Sequence, residues 1–421
     1  MLYYLQGIPF SLQTRYLPLL LRENGETLFN IGLYKLAIVP WTFKILWAPM
    51  SALRGDGRRK WLNASLAGLT FLSLILSRSP PWSTSCFIPA LIMYNVMASL
   101  SDVALDTLVD EVSEARRVYY ADSIQFAGNC AGALTVGMVA CITDHIKWQG
   151  IFAGLAALYF IGLVDSTSIL PLWQTPRSRR KLLSKSSVRR TRRSVSQDLD
   201  CSLDNGQESY YSIKFTRSYM TKLLKVDGSW WMLHMLLVYK IGEQGIMNNF
   251  PLYLLDKDYS ISDVGFWTAF FSQAMSVAGS IFAFYFRTRT PLRAILIHLL
   301  ARALFTCCLW IAVLTWDTYP HTTYVCSLAS FAALFFISAS MTSCVFQMVL
   351  RVSQRAPKEN RKDLFHLLIT VDVVGKVFFT ALLGSFMQLL GFLYVGMFGV
   401  FVASSILCIP LVKMAPKSVH V

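Results

Sequence analysis

The chain has 421 residues, of which 54% are hydrophobic, 14% aromatic and only 15% charged, and it carries a formal net charge of +15. Soluble globular chains are about a quarter charged, so a chain this apolar must turn much of its surface toward lipid. A strongly basic balance would suit nucleic acid, but the bases here are distributed by membrane side, and no nucleic-acid partner is expected.

Runs long enough to cross ~30 Å of hydrocarbon, about 20 residues each, occur at 1–21, 28–50, 61–77, 86–109, 121–143, 148–172, 229–255, 263–286, 292–315, 322–350, 364–390 and 391–412. The third is short, and the last two nearly touch at Leu390-Gly391. Six runs fall on each side of a long polar segment. The predicted fold class is all-α and integral to the membrane, with twelve transmembrane helices as two six-helix bundles. Residues 1–172 form the N-terminal bundle, 173–227 a cytoplasmic linker and 228–421 the C-terminal bundle.

The halves repeat one another. At an offset of 233 residues, Leu17-Pro18-Leu19 through Ile31-Gly32-Leu33-Tyr34 aligns without gaps on Phe250-Pro251-Leu252 through Val264-Gly265-Phe266-Trp267. In each copy a proline ends an apolar run, a short polar turn follows, and a glycine re-enters the next run. Parallel duplication sets two bundles about an axis along the membrane normal, with a solute site between them near midplane.

Orientation follows from Lys and Arg, which are retained on the cytoplasmic side. With the N-terminus inside, cytoplasmic segments hold 29 of the 39 bases, and four (Arg22, Arg78, Lys147, Lys257) lie outside. Without the thirteen in the long linker the ratio is still 16 to 4, so both termini are expected in the cytoplasm. The linker is basic at Arg177–Lys181 and Arg189–Arg193, then acidic from Asp198 to Glu208. Few apolar residues interrupt the basic part, which reads as a disordered tether suited to anionic lipid; Thr191, Ser194 and Ser196 are its candidate phosphorylation positions. The nine cysteines form no CxxC pair. No metal or cofactor is expected, and with no Walker loop direct ATP drive is not expected either.

Ionisable residues inside spans are the candidate site, because each costs a few kcal/mol to insert unless paired or hydrated. Lys240 and Glu243 lie about 11 and 14 residues into the run 229–255, near midplane. Their i,i+3 spacing puts them on one helical face, either as a self-neutralising pair or facing a cavity, with Glu243 a proton acceptor and Lys240 an anion contact. Asp102 and Asp106 share a face one turn apart. Asp106 sits near the cytoplasmic end, where Arg58 and Arg59 emerge, and is read as a gating latch with them; Asp102 is deeper. Arg15 and Lys35 have no acid at i±3 or i±4 and could snorkel outward. Asp372 and Lys376 read as a structural i,i+4 pair. Arg302 is assigned to packing or lipid headgroups. His234 and His298 have no ligand spacing.

Three segments carry a family resemblance. The first is Tyr4-Leu5-Gln6-Gly7-Ile8-Pro9-Phe10 with Pro40-Trp41 and Trp47-Ala48-Pro49. The second is Ser101-Asp102-Val103-Ala104-Leu105-Asp106, and the third Tyr239-Lys240-Ile241-Gly242-Glu243-Gln244-Gly245. Together they resemble the branch of the major facilitator superfamily that holds the AmpG muropeptide permeases and the acetyl-coenzyme A transporters. One departure is Met50-Ser51-Ala52, where the family usually has an aspartate between spans two and three. Another is Ser101-Asp102 in place of a common Gln-Asp. The resemblance implies the facilitator fold and alternating access, with spans one, four, seven and ten lining the path; these carry Arg15, Asp102, Asp106, Lys240 and Glu243. It also implies a small anionic solute such as acetyl-coenzyme A as partner, besides the lipid bilayer, with protons as a coupling ion. Two other readings are a transporter-like sensor or scaffold without turnover, and an acyl-coenzyme A-using acyltransferase, for which His366 is the one candidate residue.

Overall fold

A computed structural model gives the structure of the protein. It describes residues 1–41, 56–79, 84–112, 118–143, 146–168, 224–285, 291–357, 360–391 and 393–416. Most of the linker, including Thr191, Ser194 and Ser196, lies outside the described residues, as do the side chains of Arg58, Asp106 and His366.

Among the described residues, twelve helical passes follow one another. α1 comprises Leu2–Ser11, a π-helical turn Leu12–Tyr16 and Leu17–Glu23; α2 comprises Leu28–Leu36 and a 3-10 turn Val39–Trp41. Then come α3 (Asp56–Arg78), α4 (Thr84–Val112), α5 (Val118–Cys141) and α6 (Trp148–Ser168). The second half opens with α7, split into Ser229–Val238 and Ile241–Asp256, and α8, built from Ile261–Val264, a π-helical segment Gly265–Phe271 and Ser272–Tyr285. α9 (Pro291–Leu314), α10 (Pro320–Gln354), α11 (Arg361–Leu389) and α12 (Tyr394–Lys413) complete it. Six of these helices are long and apolar enough to cross a membrane by themselves. Helices suit that role because every backbone polar group is satisfied within the segment.

The duplication is visible in backbone geometry. Thr27 caps α2 by accepting from the Asn30 amide, and Ser260, 233 residues on, caps α8 by accepting from the Asp263 amide. Just before each cap the chain turns through the left-handed region, at Gly25 (φ 84) and at Asp258 (φ 63). Glycine takes that conformation freely, and Asp is among the few other residues that tolerate it. Pro18 and Pro251 lie inside their helices, which run on to Glu23 and Asp256, close to the ends of the predicted runs. Gly391 (φ 73) makes the tight turn between α11 and α12.

Within the halves α3 packs on α4 and α6, α1 on α5, and α9 on α10 and α12. Polar groups inside the bundles find partners: Asn63 accepts from Ser166 at 2.6 Å, and the hydroxyls of Tyr94 and Tyr159 meet at 2.7 Å. The halves meet along three seams, α1 with α7, α2 with α11, and α5 with α8. In the last seam the backbones are close, because a Cβ on Gly137 would lie 2.8 Å from the Phe270 Cα. The Ser262 hydroxyl donates across it to the Cys141 carbonyl.

Hydrogen bonds join the halves at the end that carries Gly25. Arg22 of α1 grips Asp256 of α7 bidentately, at 2.7 and 2.6 Å, and Tyr394 donates to the same carboxylate at 2.7 Å. The Phe29 amide donates to Gln388 of α11 at 2.7 Å, and the Ser385 hydroxyl to the Leu28 carbonyl at 3.2 Å. This end is therefore closed. A partly exposed bidentate pair is worth about 1 kcal/mol, so Arg22→Gln should shift a closed–open equilibrium at this end roughly 5-fold toward open. Labelling of a cysteine placed at Leu28 by an impermeant reagent would rise accordingly; an unchanged rate would show that the pair closes nothing.

Candidate functional site

A cavity of about 380 Å³ lies where α1 faces the second half. Phe10, Thr14 and Arg15 come from α1; Lys240, Glu243, Gln244, Met247 and Asn248 from α7; Ser276 and Ser280 from α8. α10 adds Phe335, Ser338, Thr342 and Ser343, and α11 adds Lys376. The wall thus mixes two aromatic rings with many hydroxyls and four ionisable groups.

Lys240 and Glu243 both line this cavity, but they do not pair with each other. α7 is interrupted at Tyr239 and Lys240, and both interrupted residues reach one carboxylate on α11. The Tyr239 hydroxyl donates to Asp372 Oδ1 at 2.8 Å and Lys240 Nζ to Oδ2 at 3.1 Å. Glu243, three residues on, turns instead toward α9 and α10. Its Oε2 accepts from Arg302 Nη1 at 2.9 Å, and its Oε1 from the Ser338 hydroxyl at 2.6 Å and from Gln244 Nε2 at 3.3 Å.

This changes the expected role of Arg302. The side chain meets neither lipid nor headgroups: it is 0% exposed, and its carboxylate partner is 2% exposed. Its Nε and Nη2 have no hydrogen-bond partner, so Glu243 is its sole anchor among the described groups. The missed signal was depth. Arg302 stands midway along α9 (Pro291–Leu314), at a level comparable to that of Glu243, and an arginine that deep in an apolar helix needs a counter-ion at its own level.

The i,i+4 reading of Asp372 and Lys376 is also corrected. Asp372 is taken by Lys240, and Lys376 Nζ lies 5.0 Å from the Phe10 ring centroid across the cavity. Arg15 does not snorkel. Held in the π-helical turn of α1, it points into the cavity, with its guanidinium 5.2 Å from the Phe335 ring centroid and Nη1 3.4 Å from the Ala269 carbonyl. Ala269 belongs to the π-helical segment of α8; such segments loosen the regular backbone ladder and occur often at functional sites.

Lys35 is likewise buried rather than snorkelling, at 5% exposure. Its Nζ donates to Asn248 Oδ1 at 3.1 Å, so it touches a residue of the cavity wall without lining the cavity. Asp102 is buried in α4 and lies outside the wall. Arg59 is half-buried in α3, which packs on α4, the helix carrying Asp106. His298 is satisfied within its bundle, through the Ala294 carbonyl and the Ser340 hydroxyl.

The arrangement can hold a small polar molecule between the halves, closed from the Gly25 end, with cations from both halves at its wall. Comparisons with known proteins agree with this architecture. A D-xylose-proton symporter superposes with a TM-score of 0.67 at 12% identity, over 99% of this chain and 97% of that one. The xylose transporter XylE from E. coli, in an inward-open conformation, gives 0.67 at 13% identity, over 98% and 95%. A POT family transporter in complex with 5-aminolevulinic acid gives 0.62 at 13%, over 99% and 96%. At these identities the likeness is one of fold. The family model of the Major Facilitator Superfamily matches residues 5–361. The chain belongs to the major facilitator superfamily and is a multi-pass membrane solute transporter with that superfamily's fold of two six-helix bundles.

Proposed function

We propose that the protein carries a small organic anion across the membrane by alternating access, with the cavity between α1 and the second half as the solute site. The observation that carries this reading is the charge of the wall: Arg15, Lys240 and Lys376 against Glu243. Glu243 is the proposed proton acceptor, and Lys240, paired with Asp372 at 3.1 Å, is proposed to add to the positive field that draws the anion rather than to be its sole contact. A proton arriving at Glu243 would remove the charge that holds Arg302, which ties protonation to the packing of α7 on α9. Lys35 and Asp102 are proposed to act in coupling rather than contact. With both termini in the cytoplasm, the closed Gly25 end is the outer one, and Asp106 with Arg58 and Arg59 is the proposed latch for the opposite end.

The sequence resemblance supports acetyl-coenzyme A as one specific solute. A cavity of about 380 Å³ is at the small end of the ~300–1,000 Å³ usual for ligand pockets. It would take the acyl end of that molecule and leave the nucleotide outside. Proteoliposomes containing the purified chain should accumulate labelled anions from a panel that includes acetyl-coenzyme A, with Lys240→Gln reducing uptake and Glu243→Gln removing its pH dependence. Epitope tags at residue 200 and at the C-terminus should both be open to protease from the cytosolic side. Absence of uptake for every anion in correctly oriented vesicles would refute the carrier reading, and a protected tag would refute the orientation.

A further inference from the structure

We infer that the solute is a short dianion whose two acidic groups meet Arg15 of one half and Lys376 of the other. This rests on the cavity being the solute site. Of the four ionisable side chains in the wall, two are already neutralised, Lys240 by Asp372 at 3.1 Å and Glu243 by Arg302 at 2.9 Å. Arg15 and Lys376 remain. Among the described residues neither has a carboxylate within 4.0 Å. What they have is a ring face each, Phe335 for Arg15 and Phe10 for Lys376, and for Arg15 the carbonyl of Ala269 at 3.4 Å. A cation over a ring gains only about 0.5–2 kcal/mol, and both side chains are partly exposed to the cavity. Among the described residues the wall therefore keeps two positive charges that no carboxylate contacts directly and that an entering anion can reach.

The two charges belong to different halves, α1 and α11. A monoanion satisfies one and leaves the other bare, while a dianion satisfies both and ties the halves together across the cavity. The volume of about 380 Å³ is at the small end of ligand pockets, which suits a short carbon chain between the acids. Phe10 and Phe335 offer that chain apolar surface. The ligand class is therefore a short unbranched dicarboxylate.

The test is thermal stabilisation of the purified full chain in nanodiscs by four- to eight-carbon unbranched dicarboxylates, each beside the monocarboxylate of equal carbon number, at neutral pH. The best dicarboxylate should bind at least ~10-fold tighter than its monocarboxylate, since a second charge-assisted contact is gained. That ratio should collapse toward unity in Arg15→Gln and in Lys376→Gln, and survive in Arg15→Lys. The inference is overturned if no dicarboxylate outbinds its monocarboxylate, or if the preference persists in both glutamine variants. The wild-type series decides alone should a variant fail to fold. Vesicle uptake of an anion without preference for two charges would overturn the dianion and leave the carrier intact; dianion preference without any uptake would do the reverse.

Discussion

Arg302→Met should destabilise the protein by about 3–5 kcal/mol, because it leaves the Glu243 carboxylate buried without its counter-ion. Glu243 is 2% exposed and Arg302 0%, so neither can turn to water in compensation. Glu243→Gln alone should also be costly. The guanidinium already has Nε and Nη2 unpartnered, and the substitution removes its one charged partner. The double variant Glu243→Gln with Arg302→Met should recover most of the loss, since no bare charge then remains. Thermal unfolding of the four proteins in the same detergent measures this cycle, and additive losses in the double variant would refute the pairing. Vesicle uptake adds a second reading. A double variant that regains stability but not pH-dependent transport assigns the proton to Glu243, whereas full recovery of both makes the pair a packing element alone.

Gly137→Val should part the seam between α5 and α8. The new Cβ would sit 2.8 Å from the Phe270 Cα and 2.9 Å from its amide nitrogen, and backbone atoms cannot swing aside as a side chain can. The halves must separate there, which weakens closure at the Gly25 end. Cys141, whose carbonyl accepts from Ser262 in the seam, reports the change. With the other cysteines replaced by serine, its labelling by an impermeant maleimide should rise by roughly an order of magnitude, corresponding to ~1.4 kcal/mol in the opening equilibrium. Gly154→Val is the control, because nothing lies within 4 Å of its Cβ. Equal labelling in Gly137→Val and the control would show that the seam yields without opening.

Much of the fold was legible from the chain because the bilayer imposes a length and a composition on each pass. Twelve apolar runs became twelve helical passes, and the 233-residue repeat reappeared as matched caps at Thr27 and Ser260 and matched left-handed turns at Gly25 and Asp258. The predicted runs continue past Pro18 and Pro251, as the helices do, because a proline near the end of a membrane helix removes one hydrogen bond that neighbouring residues can absorb. Depth along a span was also readable and singled out Lys240 and Glu243, both of which the structure places in the wall of one cavity.

What spacing along one helix does not contain is the direction in which a long side chain finds its partner. The i,i+3 and i,i+4 rules proposed Lys240 with Glu243 and Asp372 with Lys376. The tertiary structure crossed them instead, joining Lys240 to Asp372 and Glu243 to Arg302. In a low-dielectric interior a buried carboxylate needs a cation and further donors together, and Ser338 and Tyr239 supplied the additional bonds to Glu243 and Asp372 from other positions. The sequence by itself determined how many helices there are, how they repeat and which charges lie deep. Only the packing of α7 against α9, α10 and α11 decided which of those charges neutralise each other, and so left Arg15 and Lys376 facing the cavity.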